Sequence, residues 1–217
     1  MSTETGSSLD IDRGASASTI GIVSEGVSTA RRAPMIFVVY LFVAVASLLS
    51  QSLSNVLSLV AGGVVVAMAY STLGGRPENR VSFGVRLVIV FVAGLISGVI
   101  IIFGLLFLVV PGIYLSVRLR LVTAAVMLDD CGPIEALGRS FDLTEGHTWT
   151  VFGVALLLSV VSLATTVAVG LAIVGAPSEF SDVATLREVL RIGAVIPTLL
   201  ITPIGVSADA VMYGLYD

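Results

Sequence analysis

Three ionisable side chains fall inside apolar stretches that are long enough to cross a membrane: Arg118, Arg120 and Asp209. A charge at the centre of a span costs about 2.5–3.5 kcal/mol on insertion scales, so such residues usually pair or line a polar path. With a rise of about 1.5 Å per residue, Arg120 and Asp209 come to similar depths if their spans run in the same direction. We therefore predict an intramembrane ion pair between Asp209 and Arg120, with Arg118 as the alternative partner.

The two arginines also have a second interpretation. The helix that carries Arg118 and Arg120 could be irregular, so that both side chains snorkel to the membrane interface. In the first interpretation the arginines line a functional path, and in the second they only pack. The sequence is compatible with both.

The stretch from Pro111 to Trp149 interleaves apolar sequence, charge and turn residues. Pro111-Gly112 breaks a long apolar run. Further on, Gly132 suits a helix N-cap and Pro133 suits the first helical position, where its missing N–H costs nothing. The sequence therefore predicts one helix that ends near Leu128 and another that begins at Pro133.

The second of these helices, Pro133–Glu145, is predicted to be amphipathic. Ile134, Leu137 and Phe141 form an apolar stripe, and the opposite side carries Glu135 and Arg139 as an i, i+4 pair. An amphipathic helix between two spans is expected to lie flat in the membrane interface. Its stripe would then face the bilayer or the bundle.

Three short motifs in this region resemble the membrane domain of glycerophosphoryl diester phosphodiesterases. They read P-G-I-Y-L-x-x-R, D-x-C-G-P-I-E-A-L-x-R-S and L-T-x-G-x-x-W, and the C-terminal 208–216 is similar to the family's last helix. The resemblance implies a multi-helix membrane fold, like that of stand-alone prokaryotic membrane proteins of unknown function, and it implies no activity. The residues that carry it are Pro111, Gly112, Tyr114, Gly132, Pro133, Glu135, Arg139, Ser140 and Trp149.

Composition and hydropathy predict an all-α integral membrane bundle with six transmembrane helices and one interfacial amphipathic helix. Apolar residues make up 56% of the chain and charged residues 12%, against roughly a quarter charged in soluble domains. Residues 1–18 are expected to form a disordered cytoplasmic tail, and 19–217 a single membrane domain. The predicted spans are Pro34–Leu53, Val56–Leu73, Val85–Val110, Pro111–Leu128, Thr150–Val174 and Ile192–Tyr213.

Arginine placement predicts the orientation. Lysine is absent, and most arginines flank spans on one side, whereas only Arg187 and Arg191 fall on the other. The positive-inside rule then places both termini in the cytoplasm. The resemblance implies a prokaryotic protein, which we expect in the cytoplasmic membrane.

Four further features have competing interpretations. Gly94 and Gly98 form a GxxxG pattern, for which internal helix packing is favoured over dimerisation. His147 is the only histidine and Cys131 the only cysteine, so we interpret them as a loop residue and a small turn residue. Ile20, Val23 and Val27 form a thin stripe that suggests a short surface helix.

These features favour a non-enzymatic membrane protein that acts through contacts with membrane lipids or with a membrane-protein partner. A permease for a small solute, anionic or lipid-derived, is the alternative. A membrane-embedded enzyme is the least favoured, because the acids are scattered through loops and no nucleophile–base set appears. We expect no catalytic residues, no cofactor, no metal and no nucleic-acid partner.

Overall fold

The computed structural model describes residues 18–76, 81–175 and 183–217, and all regular structure in these ranges is α-helical. The predicted tail lies outside the described residues, apart from Ser18, which caps the first helix. Residues 77–80 and 176–182 lie outside them as well. The helices are α1 Thr19–Arg32, α2 Met35–Leu49, α3 Gln51–Thr72, α4 Phe83–Phe107, α5 Val109–Arg118, α6 Val122–Asp129, α7 Pro133–Thr144, α8 Thr148–Val174, α9 Val183–Gly193 and α10 Val195–Tyr216.

Five helical stretches in the described residues are long and apolar enough to cross a membrane, which fits a multi-pass membrane protein. The predicted first span differs from the structure. It is interrupted at Ser50, and α2 reaches the length of a span only together with α1, from which it is bent by 93°. The five stretches are Ser54–Thr72, Phe83–Phe107, Val109–Asp129, Thr148–Val174 and Val195–Tyr216.

The third and fourth spans form a tight hairpin. The chain turns at Leu108, which is extended, and not at Pro111 as predicted. Gly104 and Gly112 allow the close approach, since a Cβ on Gly104 would lie 2.9 Å from the Cα of Gly112. Two glycines facing each other thus set the hairpin geometry, and Pro111 lies inside the first turn of α5.

Helix α1 packs along α10 and is not a surface helix. Its buried residues are Ile22, Gly26, Thr29 and Ala30. The buried face therefore differs from the predicted stripe of Ile20, Val23 and Val27, and Ile20 is exposed. A Cβ on Gly26 would lie 3.0 Å from the Cβ of Ala208. A small residue at each position therefore lets the two backbones meet.

Helix α9 folds back on α8 through a second pair of glycines. A Cβ on Gly193 would lie 1.9 Å from the carbonyl oxygen of Thr166, and one on Gly170 would lie 2.1 Å from that of Val189. By contrast, the predicted packing of the GxxxG pattern was wrong. A Cβ on Gly98 would meet nothing within 4 Å, and one on Gly94 would only touch Leu59 at 3.9 Å.

Candidate functional site

The predicted fourth span is broken into α5 and α6, and both arginines lie at the break. A turn at 119–121 separates the two helices. The fully buried Ser140 of α7 stabilises this turn, because its hydroxyl donates to the carbonyl oxygen of Arg118 at 2.6 Å and accepts from the amide N–H of Leu121 at 3.2 Å. One side chain thereby satisfies backbone groups that the interruption leaves open.

The structure brings Arg120 and Asp209 together. The Nε of Arg120 lies 2.6 Å from Oδ1 of Asp209, and the two side chains are 21% and 19% exposed. Asp209 lies seven residues before the C-terminal end of α10, which is roughly 10 Å along the helix axis. The pair therefore joins the break between α5 and α6 to the C-terminal third of α10, and it keeps one edge accessible.

That edge opens into a shallow groove of about 580 Å³ between α8 and α10, which polar and apolar side chains line together. The Arg120–Asp209 pair lines its inner end. Ser159, Ser162 and Thr166 line it from α8, at helical spacing along one face of an otherwise apolar helix. Thr202 and Gly205 contribute from α10. We call this cavity the lateral groove, because Ser159 and Thr202 are exposed on the outer surface of the bundle.

Arg118 has different surroundings. Its guanidinium carbon lies 5.6 Å from the ring centroid of Tyr114 and 5.2 Å from that of Phe141. Within the part of the chain that the structure describes, no carboxylate contacts it, and its buried Nε has no hydrogen-bond partner. Stacking between two aromatic rings stabilises this cation, and Arg118 does not line the lateral groove.

Helix α4 is attached to the turn between α6 and α7 by an ion pair that sequence reasoning missed. The Nη2 of Arg86 lies 2.5 Å from Oδ1 of Asp130, and both side chains are at most 5% exposed. Arg86 also donates from Nη1 to the carbonyl oxygen of Met127 at 2.9 Å. Asp130 itself has a left-handed backbone, with φ of 54°, a conformation that Asp and Asn tolerate better than most residues.

Arg139 connects α7 to α6 and to the C-terminus. Its Nε donates to Asp129 at 3.2 Å, and its Nη2 contacts Asp217. The phenol of Tyr213 donates to the same Asp129 carboxylate. Burial lowers the pKa of Arg139, but hydrogen bonding with Tyr213 and Asp129 outweighs this effect and raises the pKa above its usual value.

The predicted i, i+4 pair between Glu135 and Arg139 does not form, because each residue has another partner. Glu135 accepts the backbone N–H of Gly132 at 3.4 Å and so caps the start of α7. Gly132 and Pro133 occupy the predicted N-cap and first helical positions. The apolar stripe of α7 divides, since Leu137 and Phe141 pack on the core while Ile134 is exposed.

The remaining motif residues lie near an apolar cavity of about 560 Å³ at the start of α8. Tyr114 and Trp149 line it, and Trp149 is 85% exposed. His147 stacks on Tyr216, with the ring centroids 4.2 Å apart. Cys131 is buried in the turn between α6 and α7. These positions bring aromatic rings to one end of the bundle, as is usual at a membrane interface.

Sequence reasoning missed two features that the sequence does signal. Adjacent acids, Asp129 and Asp130, at the end of an apolar run call for nearby bases, and Arg86 lies at the start of another apolar run. The hydroxyls of α8 recur every three to four residues, which marks one face of a helix. Hydropathy averages over a window and hides such a stripe.

A second polar cavity lies at the other end of α10 and has a volume of about 540 Å³. Helices α3 and α9 line it together with Thr198 and Thr202 of α10. Because Thr202 also lines the lateral groove, the two cavities approach each other at this residue.

Comparison with known proteins gives one family. A domain of unknown function, DUF7847, matches residues 77–212, which is more than half of the chain. The matched region contains the whole lateral groove and both partners of the Arg120–Asp209 pair. No curated protein and no solved structure matches the chain. The comparisons show no link to the membrane domain of glycerophosphoryl diester phosphodiesterases.

Proposed function

Because the chain belongs to the DUF7847 family, whose function is unknown, we propose a function from the lateral groove itself. The protein is a non-enzymatic, multi-pass protein of the cytoplasmic membrane, and the lateral groove binds the polar headgroup of a membrane lipid. The observation that carries this proposal is the position of the groove. Charged and hydroxyl groups lie on the outer surface of two membrane-spanning helices, where a lipid is the nearest neighbour.

The chemistry of the groove suits a headgroup. Arg120 offers a cation to a lipid phosphate, Asp209 offers an acceptor to an ammonium or hydroxyl group, and the hydroxyls of Ser159 and Ser162 add neutral hydrogen bonds. An exposed polar surface at membrane depth is costly unless it is hydrated or occupied. The non-enzymatic part of the proposal rests on the scattered acids and the single histidine of the sequence.

The proposed orientation places both termini in the cytoplasm, together with α7 and the Arg139 cluster. A cysteine at the exposed Glu145, in a Cys131→Ser background, reports on it directly. We expect a membrane-impermeant maleimide to label Glu145→Cys only after the cells are opened. Labelling in intact cells would reverse the orientation.

Native mass spectrometry of the purified protein with phosphatidylglycerol and phosphatidylethanolamine tests headgroup binding. Ser162→Leu fills the groove, whereas Val160→Leu introduces the same residue two positions away, where Val160 is exposed on the apolar surface and the groove stays open. We expect Ser162→Leu to lower the lipid-bound fraction and Val160→Leu to leave it unchanged. Equal lipid retention by both variants and the original chain would refute the proposal.

A permease is the second candidate, and the shared position of Thr202 favours it. The two polar cavities lie on either side of this residue, so together they outline most of a path along α10. Transport requires solute uptake into liposomes, which lipid binding alone does not. The relationship to the membrane domain of glycerophosphoryl diester phosphodiesterases stays a prediction from the motifs. A partner protein in the membrane also stays a prediction.

A further inference from the structure

We propose that the second polar cavity, here called the α9 cavity, is an anion site that recognises a phosphate group. It shares only Thr202 with the lateral groove and lies near the start of α10, whereas Asp209 lies near its end. The cavity encloses about 540 Å³, a volume within the usual range for small-molecule sites. Its lining residues are Ser47, Ser50, Ser54, Asn55, Ser58, Arg187, Leu190, Arg191, Ala194, Thr198 and Thr202.

Among the described residues, the charge of this lining has one sign. Two guanidinium groups line the cavity, and none of the described carboxylates does. Arg191 is bound by Glu188 through two hydrogen bonds, Nε to Oε2 at 3.0 Å and Nη2 to Oε1 at 2.6 Å, and this bonding raises the pKa of Arg191. Among the described residues no carboxylate contacts Arg187. Arg187 therefore keeps its full charge for a ligand.

The neutral polar part of the lining consists of six hydroxyls along α2, α3 and α10, together with the Asn55 amide. Ser47 and Thr202 already donate to the carbonyl oxygens of Ala44 and Pro197, at 2.6 and 3.3 Å, so the donors for a ligand come from the hydroxyls of Ser50, Ser54, Ser58 and Thr198. Ser50 forms the N-cap of α3 without a side-chain hydrogen bond to the first turn, so backbone donors of this turn add to the positive end of the helix dipole. The cavity therefore offers several hydrogen-bond donors close to the guanidinium group of Arg187.

A phosphate group matches these features better than a carboxylate does. It has more acceptor oxygens to satisfy the hydroxyls, and guanidinium binds two of its oxygens at once. The cavity exceeds the size of inorganic phosphate, which leaves room for a small esterified group. The ligand is thus either a free phosphate compound or the headgroup of a phospholipid, and these two sources share the same recognition chemistry.

Two binding arms on the full-length protein, purified in dodecyl maltoside, distinguish the sources. The first arm titrates inorganic phosphate by calorimetry at constant ionic strength, with acetate as the carboxylate comparison. The second arm measures retention of phosphatidylglycerol by native mass spectrometry, with diacylglycerol as the phosphate-free lipid. Arg187→Gln removes the unpaired cation. Arg31→Gln removes an exposed arginine from the other end of the bundle as the matched control.

We expect Arg187→Gln to weaken binding by about tenfold or more, the scale of one lost charge-assisted hydrogen bond, and Arg31→Gln to leave binding unchanged. Loss in the phosphate arm identifies a free anion, and loss in the phosphatidylglycerol arm alone identifies a lipid headgroup. Both results support the site. The proposal is overturned if neither ligand binds, if acetate binds more tightly than phosphate, or if Arg187→Gln binds as the original chain does. Ser162→Leu leaves the phosphate titration unchanged and removes only the phosphatidylglycerol bound in the lateral groove, whereas Arg187→Gln removes the one bound in the α9 cavity. Failure here is therefore distinguishable from failure of the lateral groove.

Discussion

The two ends of the helix bundle use arginine in different ways. At the end formed by α6, α7 and the C-terminus, Arg86 and Arg139 each contact an aspartate. At the opposite end, the cavity beside α9 holds two arginines, of which only Arg191 contacts a carboxylate within the described ranges. The arginines at the first end therefore join helices through ion pairs, whereas those at the second end remain accessible. Mutations should therefore reduce stability at the first end and ligand binding at the second.

The largest expected effect lies at the buried Arg86–Asp130 pair. Asp130→Asn removes the charge and keeps a residue that tolerates the left-handed backbone, so the change isolates the ion pair. We expect a loss of roughly 3 kcal/mol in unfolding free energy, because Arg86 remains buried opposite a neutral group. Unfolding in detergent measures it. Asp217→Asn, at a more exposed pair, is the control and should cost much less.

The glycine contact between α8 and α9 comes next. Gly193→Ala places a methyl group against the backbone of Thr166, so α9 must move away, and we expect a loss of about 2–3 kcal/mol. Gly98→Ala is the matched control, since that position has open space. A stable Gly193→Ala variant with unchanged protection of α9 from proteolysis would contradict the close contact.

A smaller effect is expected at the Arg120–Asp209 pair, which is partly exposed. Asp209→Ala should cost about 2 kcal/mol, because the arginine loses its charged hydrogen-bond partner. The double variant with Arg120→Leu should lose less than the sum of the two single variants. Strict additivity in this double-mutant cycle would show that the two groups do not interact.

The smallest stability change is expected at the helix break. Ser140→Ala removes one hydrogen bond to Arg118 and one to Leu121, so we expect a loss of about 1–2 kcal/mol. Ser140→Thr keeps the hydroxyl and adds a methyl group, so it separates the loss of the two hydrogen bonds from a change in side-chain volume. If Ser140→Ala unfolds at the same denaturant concentration as the original chain, Ser140 does not stabilise the turn.

How much of this arrangement the sequence predicts depends on the range of the interaction. The cap at Gly132 and Pro133 and the start of α7 are local, and the sequence predicts them correctly. The Arg86–Asp130 pair joins residues 44 positions apart in different helices, so no local pattern reveals it. Arg120 and Asp209 are also far apart in sequence, but they were predicted to be neighbours because they lie at similar depths in two spans that run in the same direction.

Glycines show the same limit. The sequence favours Gly94 and Gly98 as packing residues because of their spacing, yet the close contacts are made at Gly26, Gly170 and Gly193. Spacing along one helix places two small residues on one face, but it does not show which face meets another helix. Which face of a helix contacts another helix depends on the packing of all helices in the bundle.

The proposed headgroup site requires that water reach the lateral groove at membrane depth, and cysteine reactivity tests this directly. In a Cys131→Ser background, Ser162→Cys lines the groove, while Val160→Cys lies on the apolar surface of the same helix. Thiolate forms only where water reaches the sulfur. If water reaches the lateral groove, a small water-soluble maleimide reacts with Ser162→Cys in membranes, and Val160→Cys stays unlabelled. Equal protection of both cysteines would contradict the proposed site.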